Sequence, residues 1–379
     1  MPNPNAVVAS VVGFDAPPDR PVSALLRERR QVAVELGDGT RARLDPGDPK
    51  SEGFAQLLDR LRTRRYPVYL EIDPTTSLIT QLRIPRVARV ANLQTDADGS
   101  LGVHLRFSHL RHRVPRDAAD FAELERELRD ALSTGRVVIV TEDFERNIID
   151  VREFRPGPDG PLPPWPEPRP EPRPSWLRRL IKQVWTAIAS SNWFLPVLWL
   201  NSLTPAQAQQ IFDAMNATSC DPYTAPPPCI PFTYPEDGCW ARAHEMYRLM
   251  LEMGYLPRKI WNAGALVVTS PNTPACGPLI WVFHVAPTLR VRGPQLLQTV
   301  HMVFDPSLFN TPVTKTVWQA KQSDETSILE ETDGWVCWHH EDESLPDPNY
   351  EETNFQLWLH RSLLMERTLI YGPPPFACP

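Results

Sequence analysis

The chain has 379 residues, of which 42% are apolar and 22% are charged, and its net charge is −7. This composition is typical of a globular protein with two or three domains, and it excludes a fibrous or largely disordered chain. Charge is uneven, since residues 201–379 carry 10 basic and 19 acidic side chains. Binding of phosphate groups needs clustered basic residues, so this acidic half argues against nucleic acid as a partner.

Residues 1–155 are predicted to form a separate N-terminal α+β domain. Apolar residues alternate or cluster as in strands at Gln31–Leu36, Val68–Ile72, Arg86–Leu93, Leu101–Phe107 and Arg136–Thr141. Helical spacing of apolar residues occurs at Phe54–Arg64 and Ala118–Ser133. The region contains no recognisable catalytic motif, so we expect a folding, targeting or inhibitory module.

A proline-rich linker is predicted at residues 156–174. Residues 155–174 include ten prolines, a composition that favours an extended polyproline II spacer. Such a segment marks a domain boundary and is a natural site for proteolytic separation.

Residues 175–203 are rich in Trp and Leu and show helical spacing. One interpretation is an amphipathic helix at a membrane surface, and the other is a helix packed on the catalytic domain. Pro196 interrupts the segment and few basic residues accompany it, which favours the second interpretation. We predict no membrane-spanning segment, because no run of about 18 apolar residues occurs. The residues Met1–Ser10 also lack the pattern of a signal peptide.

Residues 204–379 are predicted to form the catalytic domain, with a helix at Cys239–Met253. Asp237 is the predicted N-cap, and Gly254 is the predicted stop signal. Cys239 therefore falls in the first helical turn, where the positive end of the helix dipole lowers the pKa of a thiol.

Two strands are predicted after this helix, at Leu279–Ala286 and Thr299–Asp305, with a turn signal at Gly293-Pro294 between them. An antiparallel pair of these strands would bring His284 beside Asp305, with the helix of Cys239 packed across them. The order Cys, His, Asp is typical of a cysteine-nucleophile triad for acyl transfer.

Two other histidines, His301 and His244, occur in the same region of the sequence. His301 shares a strand face with Asp305 and is the reserve candidate for the role of base. His244, five positions after Cys239, lies on a different part of the helix and is a poor base for it.

The six cysteines all lie in the acidic half, and Cys220 and Cys229 are predicted to form a local disulfide. A disulfide implies an oxidising compartment, so we expect a secreted or exported protein. Cys337, His339 and His340 resemble metal ligands, but three such residues so close together can seldom all face one ion. No metal and no organic cofactor are predicted.

Three blocks of sequence resemble the catalytic blocks of bacterial protein glutaminases, which deamidate glutamine in proteins. The blocks are Asp-Gly-Cys-Trp-Ala-Arg-Ala-His-Glu-Met, Trp-Val-Phe-His-Val-Ala-Pro and Val-Phe-Asp-Pro-Ser-Leu-Phe, and they span roughly residues 230–320. The resemblance implies a papain-like, transglutaminase-related α+β fold. It also implies that Cys239 is the nucleophile, His284 the general base and acid, and Asp305 the residue that orients His284.

The resemblance further implies deamidation through a thioester intermediate and glutamine-containing proteins as substrates. Trp240, Trp281 and Tyr255 are candidates for lining the glutamine channel, although core packing explains each of them equally well. Known members of the family are secreted pro-enzymes whose N-terminal region covers the cleft. In this chain the proline-rich boundary and the apolar segment next to it lead us to expect intramolecular inhibition by residues 1–203.

Three alternatives to deamidation remain open from the sequence. A transglutaminase-like enzyme would use the same triad with an amine in place of water. A papain-like protease is disfavoured, because the Cys-to-His spacing of 45 residues leaves little room for a second subdomain. A non-enzymatic interaction module would use the proline-rich segment as a docking ligand.

Overall fold

The computed structural model describes residues 5–17, 20–28, 30–155, 202–220, 229–273, 278–340 and 343–376. The predicted linker 156–174 lies outside the described residues, as does the segment 175–203 apart from its last two residues. The described chain divides into two compact units. The first contains the residues up to 155 together with Leu359–Phe376, and the second contains residues 202–358.

The first unit begins with a five-stranded antiparallel sheet in the order β3-β2-β1-β4-β5. Its strands are β1 Ala6–Phe14, β2 Val32–Leu36, β3 Arg41–Leu44, β4 Pro67–Ile72 and β5 Ile79–Arg83. Two helices accompany it, α1 Val22–Arg27 and α2 Ser51–Arg62. Helix α2 buries Phe54, Leu57, Leu58 and Leu61, the helical spacing that the sequence displays.

A second five-stranded antiparallel sheet follows in the order β10-β9-β6-β7-β8. Its strands are β6 Arg86–Thr95, β7 Leu101–Leu105, β8 Arg111–Val114, β9 Val137–Glu142 and β10 Ile148–Glu153. Helix α3, Phe121–Thr134, covers this sheet and ends at Gly135 in the left-handed conformation. All seven predicted elements of this region are present, with ends that differ by at most three residues.

The second unit contains a five-stranded antiparallel sheet in the order β14-β13-β12-β11-β15, and a hairpin of β16 and β17. Its strands are β11 Arg258–Val268, β12 Leu279–Arg292, β13 Thr299–Val303, β14 Val313–Thr314, β15 Ile328–Asp333, β16 Val336–His340 and β17 Glu343–Pro346. Its helices are α4 Pro205–Asn216, α5 Cys239–Glu252, α6 Lys315–Ala320 and the first part of α7 Glu351–Tyr371.

The register of β12 and β13 positions the candidate site. Thr288 pairs with Val303 in this antiparallel ladder. The Phe304 N–H donates to the Pro287 carbonyl at 3.0 Å, which extends the pairing past the end of β13. Asp305 thus follows the strand end and lies against β12 near His284. Helix α5 packs against the same strand, so one sheet and one helix bring the three predicted residues into one region.

The described fold is therefore α+β, with antiparallel sheets and a small number of helices. Among the described residues, no helix is both long enough and apolar enough to cross a membrane.

Candidate active site

Cys239 is the first residue of helix α5, and Gly238 is the N-cap. Gly238 has φ of 78°, a left-handed conformation that a side chain would make costly. The prediction that Asp237 caps the helix is wrong. Its Oδ1 accepts a hydrogen bond from the Gly238 N–H at 2.7 Å, so the carboxylate fixes the turn before the helix.

The Cys239 thiol is buried, with 1% of the residue exposed. Burial raises the pKa of this thiol and outweighs the opposing effects of the Arg242 charge and a hydrogen bond from the Val285 backbone. Asp237 and Asp305 raise the pKa further. The expected low pKa is therefore not found, because desolvation of the thiolate exceeds the favourable position at the helix start.

His284 and Asp305 form a buried hydrogen-bonded pair. The Nε2 atom of His284 lies 2.8 Å from Asp305 Oδ2, and Trp318 Nε1 donates to the same oxygen at 2.9 Å. The other oxygen accepts hydrogen bonds from the backbone N–H and the hydroxyl of Ser307. Burial alone would raise the pKa of Asp305, but His284, Ser307 and Trp318 together lower it to about 2. The carboxylate is thus ionised across the physiological range.

The imidazole of His284 is held between the carboxylate and aromatic rings. The Trp281 ring stacks on it with centroids 4.6 Å apart, and the Trp318 ring does so at 5.4 Å. A ring nitrogen of His284 lies within 4.8 Å of Cys239 Sγ. Because Nε2 faces Asp305, Nδ1 is the nitrogen suited to exchange a proton with the thiol. The structure therefore brings Cys239, His284 and Asp305 together.

The three predicted channel residues have different locations. Trp240 is fully buried, and its ring meets Trp338 edge-on at 6.1 Å, which is core packing. Trp281 is also fully buried but contacts the ring of His284. Tyr255 lies past the C-terminal end of α5, and a helix of 14 residues places it roughly 20 Å from Cys239. The structure does not bring Tyr255 to the site.

The reserve histidine and the poor base candidate both lie apart from the triad. His301 Nδ1 is 3.9 Å from Glu331 Oε2, and burial lowers the His301 pKa to about 4. His244 faces the opposite side of α5, where its Nδ1 accepts a hydrogen bond from Lys259 Nζ at 2.9 Å. Its Nε2–H donates to the Asp347 carbonyl at 3.3 Å.

Cys337 and His339 have separate partners. The Cys337 thiol lies 3.6 Å from the Thr353 hydroxyl, whereas His339 contacts Ser344 at 2.8 Å and Glu330 at 3.0 Å. The side chain of His340 lies outside the described residues. The structure groups Cys337 instead with His244 and Asp347, beside the ammonium-bearing Lys259.

Several residues of the site were missed by sequence reasoning. Arg242 lies in the first sequence block, three positions after Cys239, where the helical repeat places it on the same side of α5. Ser307 follows Asp305 in an Asp-Pro-Ser turn, and aspartates in turns commonly accept a hydrogen bond from the backbone N–H two residues later. The Ser307 hydroxyl donates to the same carboxylate oxygen. Trp318 carries no local signal, because only the tertiary fold places α6 next to Asp305.

The chain is similar to several known proteins. A protein-family model described as Glutaminase matches residues 208–322. Protein-glutaminase from Chryseobacterium proteolyticum shares 30% identity over 41% of this chain and 86% of its own chain, with a TM-score of 0.38. The crystal structure of pro-protein-glutaminase shares 22% identity over 72% of this chain and 92% of its own, with a TM-score of 0.47. No curated protein matches the chain.

Proposed function

The chain belongs to the protein-glutaminase family, enzymes that deamidate glutamine in proteins, and we propose that it does so with Cys239, His284 and Asp305. The observation that carries this proposal is the buried His284–Asp305 hydrogen bond beside a cysteine at a helix start. Cys239 is the nucleophile, His284 is the general base and acid, and Asp305 orients the ring. Around them we propose a transglutaminase-like, papain-related arrangement within the catalytic domain, residues 204–379.

The first half-reaction converts the substrate amide into a thioester. His284 Nδ1 takes the thiol proton, and Cys239 Sγ attacks the carboxamide carbon while the carbonyl electron pair moves to oxygen. Cys239 is the first residue of α5, and N–H groups in the first turn of a helix have no partner within the helix. We propose that its backbone N–H donates to this oxyanion. The imidazolium returns its proton to the amide nitrogen, the C–N bond breaks, and ammonia leaves.

The second half-reaction releases glutamate. His284 takes a proton from water, and the resulting hydroxide attacks the thioester carbon. The C–S bond breaks, and the sulfur recovers its proton from the imidazolium. Both halves use only groups of this chain, the substrate and water.

The raised pKa of Cys239 fits this scheme. A buried thiol stays protonated at rest, and proton transfer to His284 creates an ion pair instead of a lone buried charge. The ionised Asp305 stabilises the imidazolium side of that pair. We propose that Trp281 acts by holding the ring of His284, and we do not retain Tyr255 as a channel residue.

The test is ammonia release from an unfolded, glutamine-rich protein by the full chain, with Cys239→Ser as the matched variant. We expect ammonia and new glutamate from the parent, and loss of both in the variant, because a hydroxyl is a far weaker nucleophile here. Incorporation of an amine probe with little ammonia would instead establish amine transfer. Cleavage of the substrate backbone would establish a protease.

We further propose that residues 1–203 lower the activity of the catalytic domain and that the protein is exported. The buried Cys239 supports the first point, since a protein substrate needs access to it. The Cys220–Cys229 disulfide, which confirms the predicted local pair, supports the second. Limited proteolysis in the linker 156–174 should increase ammonia release by the parent and leave Cys239→Ser inactive. Equal activity before and after cleavage would refute the inhibition.

A further inference from the structure

Arg242 is a buried cation one turn after Cys239 on helix α5, with 2% of its surface exposed. Its Nη1 donates to the carbonyl oxygens of Tyr234, at 3.0 Å, and Asp237. Within the described parts of the chain, its Nη2 has no hydrogen-bond partner. Burial of a guanidinium is costly unless nearby charges and hydrogen bonds compensate for it. A buried arginine with an unsatisfied nitrogen beside the thiol therefore indicates a specific role.

The charged and titratable groups facing Arg242 come from every element around the thiol. Asp237 lies in the turn before α5, Cys239 begins the helix, and Asp305 follows β13 beside His284 of β12. Burial lowers the pKa of Arg242, while Cys239 and Asp305 oppose that change through charge interactions. Conversely, Arg242 lowers the pKa of Cys239 against the effects of burial and of Asp237. The guanidinium and the thiol are therefore electrostatically coupled.

We propose that Arg242 is a positioning residue that holds the Tyr234–Gly238 turn under the Cys239 backbone and stabilises the Cys239 thiolate through its positive charge. The first role follows from the two carbonyl contacts, which fix the chain directly before the nucleophile. The second follows from the buried location one helical turn from the sulfur, next to two aspartates that disfavour a thiolate. The link to catalysis rests on the proposed function.

A purely structural role would not require a charge. A neutral amide donor could bond to the Tyr234 carbonyl with a smaller desolvation cost than a guanidinium. The thiolate, in contrast, appears only when the proton leaves Cys239, and a fixed cation stabilises it at that moment without reorganisation. The two roles can therefore be distinguished, because only the electrostatic role makes the thiolate fraction of Cys239 depend on the charge of residue 242.

The experiment titrates the Cys239 thiolate of the full chain through the rate of its alkylation by iodoacetamide between about pH 7 and pH 9, because this rate rises with the thiolate fraction. The alkylated peptide is identified by its mass, and Cys239→Ser is the blank. Arg242→Gln should reach the parent's thiolate fraction only at a pH that is higher by about one unit or more. This shift corresponds to a tenfold loss of thiolate at a given pH. The substitution should also lower kcat for ammonia release about 100-fold with little change in KM. Arg248→Gln is the matched control on the same helix, because Arg248 pairs with Glu245 and should leave both measurements unchanged.

The titration needs no turnover, so it stays informative if the chain fails to release ammonia. An unshifted thiolate titration in a folded Arg242→Gln variant would overturn the proposal. If that variant does not fold, Arg242→Lys decides, because it keeps the charge but loses the planar fork. We expect the thiolate fraction of Arg242→Lys at a given pH to stay within about threefold of the parent's, while its kcat falls. A tenfold or greater loss of thiolate at a given pH in Arg242→Lys would contradict the electrostatic role.

Discussion

At the residue scale, the side chain of His284, the proposed base, is held in a fixed orientation by its neighbours. Asp305 receives hydrogen bonds from His284, Trp318 and Ser307, so both carboxylate oxygens are occupied. The stacked rings of Trp281 and Trp318 restrict the imidazole of His284 further. A ring held in this way exchanges a proton with the thiol without a costly reorientation, which is how preorganised sites lower a barrier.

Asp305→Asn should lower kcat by about 10³- to 10⁴-fold with little change in KM. An amide can donate to His284 Nε2, which favours the tautomer whose Nδ1 carries a proton and cannot accept one from Cys239. Steady-state ammonia release measures the effect. Trp318→Phe is the matched control, since it removes one donor to Asp305 and keeps the carboxylate, so its loss should be far smaller. Activity of Asp305→Asn within about tenfold of the parent would reject the orienting role.

At the element scale, helix α5 is anchored on the side opposite the triad. Lys259 of β11 is fully buried and donates to the Val336 carbonyl at 2.6 Å and to His244 at 2.9 Å. The Tyr350 ring stacks on His244 with centroids 4.7 Å apart. These contacts connect β11, β16 and Tyr350, the residue before α7, to the helix that carries Cys239.

Lys259 gives unfolding a specific pH dependence. Burial lowers its pKa from 10.5 to about 7, so between these values the unfolded state binds more protons than the folded state. The destabilisation of the folded state by buried Lys259 is greatest below pH 7 and decreases as the pH rises toward 10.5. The free energy of unfolding should therefore rise by about 2 kcal/mol from pH 7 to 9, and Lys259→Met should abolish this rise.

Urea unfolding at several pH values measures this contribution, with Lys321→Met as the control for an exposed lysine. The measured range ends at pH 9, because the buried thiols of Cys239 and Cys337 have raised pKa values. Above that pH these two thiols lower the free energy of unfolding as the pH rises, which opposes the effect of Lys259. Parallel stability curves for the parent and Lys259→Met would show that Lys259 stays protonated when folded.

Local sequence patterns predicted the strands and the helix that carry the candidate site, but they did not predict properties that depend on tertiary packing. Alternating apolar residues predicted β12 and β13, although β12 continues to Arg292, past its predicted end at Ala286. The strand register brings His284 to Asp305 as expected. Helix α4 was missed, although Thr204 and Gln207 form a capping box at its start. The raised pKa of Cys239 could not be predicted, because it results from burial by residues distant in sequence.

Strands of the first unit were missed for physical reasons too. The strand β1 is a nearly continuous apolar run, which resembles a buried helix segment as much as a strand. The strand β3 has only four residues and alternates arginine with apolar side chains, too short a pattern to identify alone. Their pairing with β2 and β4 decides their conformation, and pairing is not a local property.

At the scale of the whole molecule, the three proposed catalytic residues belong to one of two compact units. Cys239, His284 and Asp305 all lie in the second unit, which also holds the Cys220–Cys229 disulfide. In the described part of the first unit we identified no comparable motif from the sequence. This division explains why a chain of 379 residues has recognisable catalytic blocks over only about a quarter of its length.

The most direct test of Cys239 as the nucleophile is the intact mass of the chain, quenched with acid during turnover of a glutamine-containing peptide. If Cys239 is the nucleophile, we expect a covalent adduct with the mass of the peptide less one ammonia, attached to Cys239 as a thioester and absent from Cys239→Ser. Undiminished deamidation by the Cys239→Ser variant, with no adduct on the parent, would contradict it.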